Sequence, residues 1–177
     1  MSGARWFSTL DLASGYWQCE VAEEDQPKTC FTTHIGLYIF KVLSFGLTNA
    51  PSTFERLMEM VLNGLIGKRC LVYLDDIIVF GTTFDEAVAH LQSVFHRIRE
   101  AGLTLKPKKC HLFRQKVAFL GHIVSADGVQ CDPEKIEAVQ NWNTPKSVTE
   151  VRSFLGFTNY YRRFIKSFAH IACPLTK

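Results

Sequence analysis

The chain has 177 residues, 47% of them hydrophobic and 14 of them Phe, which suits one core, or one core with a small appendage, and excludes a disordered segment. A formal charge of +3 does not announce a nucleic-acid binder by itself, and no run reaches the roughly 18 apolar residues of a membrane span. The opening MSGARWFSTLD has no basic stretch leading into an apolar one, so secretion is not indicated and an intracellular setting, cytoplasmic or nuclear, is expected.

Trp6–Leu12 reads as a strand running into Asp11. Trp17, Cys19 and Val21 then alternate with Gln18 and Glu20, the period of a half-buried strand. Gly36 and residues 37–42 suggest a hairpin. Ser52–Glu55 fits a capping box, and Phe54, Leu57, Met58, Val61, Leu62 and Leu65 follow at helical spacing until Gly64 and Gly67 stop the helix. The segment LVYLDDIIVF supplies two short apolar strands, residues 70–74 and 77–80, hinged at Asp75 and Asp76. Thr83–Glu86 is a second capping box, opening a helix that buries Val88, Leu91, Val94, Phe95 and Ile98 before Gly102. Residues 117–124 read as one apolar strand closed by a turn at 126–128.

Beyond that point the pattern is helical. Asp132-Pro133 opens a short helix to about Trp142, and Ser147–Glu150 caps a longer one carrying Val151, Phe154, Leu155, Tyr161, Phe164 and Ile165. The expectation is an α+β unit over residues 1–125 and a helical unit over 126–177, with the boundary near 126–132. Lys106, Lys108, Lys109, Arg114 and Lys116 cluster in one stretch, and Arg152, Arg162, Arg163 and Lys166 in another. The six Cys contain no C-x-x-C pair. Cys30 with His34, or Cys110 with His111, is only half a zinc site, so reduced and mostly buried thiols are expected.

Two adjacent carboxylates inside an apolar run cost several kcal/mol and repel each other unless something offsets them. One answer is a solvated hairpin tip. The other is a cation site: a hairpin exposing Asp75 and Asp76 beside the strand that ends at Asp11 would gather three carboxylates at one sheet end. Such hard oxygen ligands suit Mg²⁺ shared with substrate phosphates.

Four ordered blocks settle the choice by likeness: FSTLDLASGYWQ (7–18), VLSFGLTNAPSTFERLM (42–58), YLDDIIVF (73–80) and FLGHIVSADG (119–128). Across nearly its whole length the chain resembles the reverse transcriptase of Ty3/gypsy-type LTR retrotransposons, covering the palm and the start of the thumb. The resemblance implies a polymerase palm, a ferredoxin-like antiparallel sheet with helices on one face, followed by a helical thumb segment. It implies RNA-directed DNA polymerisation: two Mg²⁺ ions (Mn²⁺ as a substitute), a deoxynucleoside triphosphate, and an RNA or DNA template with its primer. By that likeness Asp11, Asp75 and Asp76 are the metal-binding catalytic carboxylates, joined by the Leu12 carbonyl. Tyr16 lies under the incoming sugar and excludes a ribose hydroxyl, although ordinary sheet packing would also explain it. Phe45, Gly46 and Lys109 fall beside the nucleotide, although Phe45 also suits a core and the lysine cluster a solvated loop. Tyr73, Leu74, Phe119, Leu120, Gly121, Arg162 and Arg163 fall along primer and template. Family members carry a fingers region upstream, and connection, ribonuclease H and integrase regions downstream, which are expected to be missing here. The alternative expectation is therefore a truncated remnant that does not polymerise and acts at most as a nucleic-acid-binding or interaction module.

Overall fold

In the computed structural model, which describes residues 1–176, the first strand β1 (Trp6–Asp11) is followed by a hairpin of β2 (Phe31–Thr33) and β3 (Gly36–Tyr38), then helix α1 (Ala50–Val61). The hairpin β4 (Cys70–Tyr73) and β5 (Asp76–Gly81) leads into α2 (Phe84–Glu100) and β6 (His111–Arg114). A second hairpin, β7 (Lys116–Phe119) and β8 (His122–Ser125), continues through β9 (Gly128–Cys131) into α3 (Pro133–Gln140), α4 (Val148–Tyr160) and α5 (Phe168–Thr176). This is the expected α+β unit with a helical end. The expected boundary near 126–132 falls across the β8–β9 turn and β9 itself.

The main sheet has the order β4-β5-β1-β6 and is antiparallel throughout. Strand alternation divides its side chains between two cores. Leu10, Leu12, Ile77 and Val79 pack against Phe54, Met58, Leu91 and Val94 of α1 and α2 on one face. Phe7, Ile78 and Phe80 meet Val117 and Val124 of the smaller β7-β8-β9 sheet on the other. That second sheet covers only part of its face, so the end where β1 and β5 carry Asp11 and Asp76 stays open. A bulge interrupts the β1–β6 register between Phe7 and Thr9, and the Ser8 hydroxyl accepts the Phe113 N–H at 3.0 Å there.

Several expectations are corrected. Residues 17–21 are not a strand: Gly15–Gln18 is a 3-10 turn, because Gln18 turns inward and its amide spans the Thr104 N–H (2.6 Å) and C=O (3.0 Å) as a strand neighbour would. The hairpin at 37–42 is shorter than expected, and Lys41 and Leu43 instead bond back to Val21 and Cys19. Helix α1 begins earlier, at Ala50-Pro51, and its N-cap Asn49 makes no side-chain bond, so Ser52–Glu55 is not its capping box. Residues 117–124 are broken into β7 and β8 by a two-residue turn whose Leu120 and Gly121 are left-handed (φ 47° and 70°). The last long helix stops at Tyr160, and Tyr161 already caps it. Of the free thiols only Cys70 is fully buried, and Cys30 and Cys173 are exposed. The boxes at Thr83 and Ser147 do cap: each hydroxyl accepts the N–H three residues on, at 3.2 Å.

Candidate active site at the open end of the main sheet

The antiparallel register puts Asp11 directly opposite Asp76. Both point away from the helices, since their neighbours Leu10, Leu12 and Ile77 are committed to the helix-side core. Asp75 belongs to the two-residue turn of the β4–β5 hairpin, where Tyr73 pairs with Asp76 and Leu74 is left-handed (φ 54°), a conformation costly for a residue with a branched side chain. Two bonds hold this turn. The Leu74 N–H donates to Glu55 Oε2 of α1 at 2.5 Å, and the Leu12 N–H donates to the Asp75 carbonyl at 3.3 Å. Sequence reasoning missed Glu55, whose spacing from Ser52 imitates a cap. The Pro51 signal for an earlier helix start was the clue that frees it.

A short 3-10 turn, Pro107–Lys109, brings in the counter-charge. It is anchored by the Lys106 N–H, which donates to the Asp11 carbonyl at 2.8 Å. The Lys109 ammonium then donates to Asp11 Oδ2 at 2.9 Å. That bond and charge, with Asp75 and Asp76 behind them, raise the Lys109 pKa. Burial raises the Asp76 pKa, the Asp75 and Asp11 carboxylates add to it, and Lys109 opposes it. The site is thus short of positive charge even with its lysine in place. Among the described residues no three His, Cys, Asp or Glu side chains are gathered as a ready-made metal cluster. The donor set nonetheless fits a hard cation: carboxylate oxygens only, one already holding an ammonium, the other disfavoured as a bare anion.

Beside the carboxylates lies a cleft of about 310 Å³, lined by Asp11, Asp76, Lys109, His111, Phe119 and Leu120 among others. Gly15 packs against the β4–β5 turn: a Cβ there would stand 2.8 Å from the Phe54 ring and 3.3 Å from the Asp75 Cβ. Tyr16 follows, its ring edge-on to Phe54 (5.4 Å between centroids) and tilted against Phe45 (5.6 Å). Phe45 is 72% exposed and Gly46 beside it has φ 91°. Tyr73 is exposed next to the turn. Asp11, Leu12, Tyr16, Tyr73, Leu74, Asp75, Asp76, Lys109, Phe119 and Leu120 are therefore brought to one end of the sheet, with Gly121 at the adjoining tip. Arg162 and Arg163 are not among the cleft's lining: they sit on a 3-10 turn after α4, with the Arg163 guanidinium 4.8 Å over the Phe164 ring.

Residues 1–124 match the family model described as reverse transcriptase (RNA-dependent DNA polymerase). The chain is 45% identical over 172 residues to the retrovirus-related Pol polyprotein from transposon 297 of Drosophila melanogaster, covering 97% of this chain and 16% of that protein. It is 46% identical over 173 residues to the one from transposon gypsy of the same species, covering 98% and 17%. Among solved structures it is similar to the foamy viral protease-reverse transcriptase in complex with double-stranded DNA (TM-score 0.90, 31% identity, 97% of this chain and 30% of that one). The same enzyme with an RNA/DNA hybrid matches at TM-score 0.88 and 31% identity, covering 97% and 23%. The chain thus spans under a fifth of the length of these Pol polyproteins.

Proposed function

The chain belongs to the reverse transcriptase (RNA-dependent DNA polymerase) family, and from that premise we propose that it is the catalytic palm and early thumb of a retrotransposon polymerase, copying an RNA or DNA template inside the cell, in cytoplasm or nucleus. The observation that carries the reading is the cross-strand pair Asp11–Asp76, with Asp75 in the adjoining turn and Lys109 bonded to Asp11. Residues 1–125 are the catalytic unit in this reading, and 126–177 its extension along the duplex, opening with β9 and carried on by α3, α4 and α5.

In the proposed reaction a primer 3′-hydroxyl attacks the α-phosphate of a deoxynucleoside triphosphate, a phosphodiester bond forms, and pyrophosphate leaves. Asp11, Asp75, Asp76 and the Leu12 carbonyl would hold two Mg²⁺ or Mn²⁺ ions. Bound there, such ions would supply Lewis acidity for the attacking hydroxyl and positive charge for the leaving oxygens. Lys109, held at the carboxylates by its bond to Asp11, would offer its ammonium to the triphosphate. Tyr16, backed by Phe54 and flanked by Phe45, presents a fixed ring to the sugar, so a 2′-hydroxyl meets a wall. Tyr73 and Leu74 on one side and Phe119–Gly121 on the other bracket the primer end, which fixes the attacking oxygen in line. Gly46 lets backbone approach the base pair, and Arg162 and Arg163 reach phosphates further along.

The test is extension of an oligo(dT) primer on poly(rA) with Mg²⁺, comparing the parent with Asp75→Asn/Asp76→Asn. Extension in the parent alone is expected, and equal extension in both overturns the reading. A second reading is a nucleic-acid-binding module that does not polymerise, supported by the basic and aromatic surface where the Arg163 guanidinium lies 4.8 Å over the Phe164 ring. Duplex binding without extension in either protein supports it.

A further inference from the structure

The tip of the β7–β8 hairpin is held from outside its own sheet. Tyr160, the last residue of α4, donates its hydroxyl to the Leu120 carbonyl at 2.7 Å, and Tyr161 donates to the Gly121 carbonyl at 3.2 Å. Successive residues on a helix point about 100° apart, so two neighbours reach one turn only where the helix ends on it. The rings meet edge to face (4.9 Å, 79°) and enclose His122, which stacks flat on Tyr160 (5.2 Å, 6°) and stands edge-on to Tyr161 (5.5 Å, 84°). The two contacts differ in burial: Tyr161 is 8% exposed and Tyr160 54%. A Cβ on Gly121 would lie 2.9 Å from the Tyr161 hydroxyl, so the clamp and the turn fit only with glycine there. Leu120, whose carbonyl Tyr160 holds, lines the cleft that contains Asp11 and Asp76.

We propose that Tyr160 and Tyr161 are positioning residues: by clamping the Leu120 and Gly121 carbonyls they set how far the hairpin tip reaches across the Asp11–Asp76 cleft, and so where a primer end lies. The inference rests on the polymerase reading for its ligand and on the two hydroxyl bonds for its geometry. Helix α4 becomes the ruler for the cleft, since moving its C-terminal end moves the tip with it. Only the hydroxyls make the clamp, so Phe at both positions removes it and keeps the stacked rings.

The experiment compares the full chain with Tyr160→Phe/Tyr161→Phe in two measurements. Amide exchange over residues 116–125 of the free proteins should speed up about tenfold in the variant, while β1, β5 and α2 exchange as before. An unchanged rate overturns the clamp, whatever binds in the cleft. A primer–template duplex carrying 2-aminopurine at the primer 3′ terminus is then bound to each protein. The variant should keep its overall affinity within about twofold and lose most of the fluorescence change at the primer end. A parental fluorescence change in the variant overturns the positioning role. A parent that binds no duplex overturns the polymerase reading, and the positioning role with it, even where exchange differs.

Discussion

Asp76 carries a charge its surroundings disfavour, because burial and two neighbouring carboxylates raise its pKa against the pull of Lys109. A carboxyl whose folded pKa lies above its unfolded one contributes stability below the unfolded value and loses it as pH climbs through the folded value. Without divalent cations the protein should therefore lose stability as pH rises out of the carboxylate range. Asp76→Asn should melt about 1–3 °C higher than the parent at pH 7, a small gain because the site is half open to water. The difference should shrink toward zero in acid, and Mg²⁺ should raise the parent's melting temperature more than the variant's. A variant melting at or below the parent at neutral pH contradicts this account. Tyr16 supplies a second prediction: Tyr16→Ala should admit ribonucleotides in a polymerising form of the chain, and unchanged sugar selectivity in primer extension rules out its role as the gate. The aspartate doublet was legible because charge inside LVYLDDIIVF violates its own pattern. Glu55 and Gln18 were not, since each bonds a backbone group far away in sequence and nothing local marks it.

Between elements, α1 and the β4–β5 hairpin are tied by one carboxylate. Glu55→Ala leaves the Leu74 N–H without its acceptor and the left-handed turn without its strut, at a cost of about 1–3 kcal/mol. Glu55→Gln keeps an oxygen in reach. The alanine variant should lower both the melting temperature and primer extension, and the glutamine variant should restore most of each; equal losses would mean that charge matters and not the bond. Thr83→Ala, which removes the cap of α2 on the far side of the core, should cost about 1 kcal/mol of stability and leave extension at the parental level below the melt. Capping boxes followed by Asp, Glu and periodic apolar residues were read correctly at α2 and α4, where the signal is local. The apolar pattern hid the break in residues 117–124, because Leu120 adopts a left-handed conformation against its preference and only Gly121 hinted at a turn; the hairpin at 119–121 came from the family likeness alone.

Taken as a whole, the molecule opposes an acidic sheet end with two small groups of basic residues on a net charge of +3. Duplex binding must then come from a few lysines and arginines rather than from a general field. For about four phosphate contacts, affinity should fall roughly a hundredfold between 50 and 200 mM salt in an anisotropy titration. A salt-independent affinity would mean that these basic groups do not meet the phosphate backbone. The pairing of β1 with β5 was legible from one apolar strand that ends in aspartate and another that begins beside a pair of them. The covering of the second face by β7-β8-β9 was not, because it depends on Val117 and Val124 finding Phe7, Ile78 and Phe80 across the chain.

The register of β1 against β5 has a consequence for which mutations a gene for this chain tolerates. Conservative replacements within residues 6–11 keep each side chain on its face. A one-codon insertion between Thr9 and Leu10 keeps every residue and reverses the alternation beyond it. Leu10 would turn to the open face, and Asp11 would be aimed at Phe54 and Leu91. Lineages of this sequence should accordingly accumulate substitutions in this strand, Asp11 excepted, while its length stays frozen, with gains and losses of codons confined to loops that carry no register.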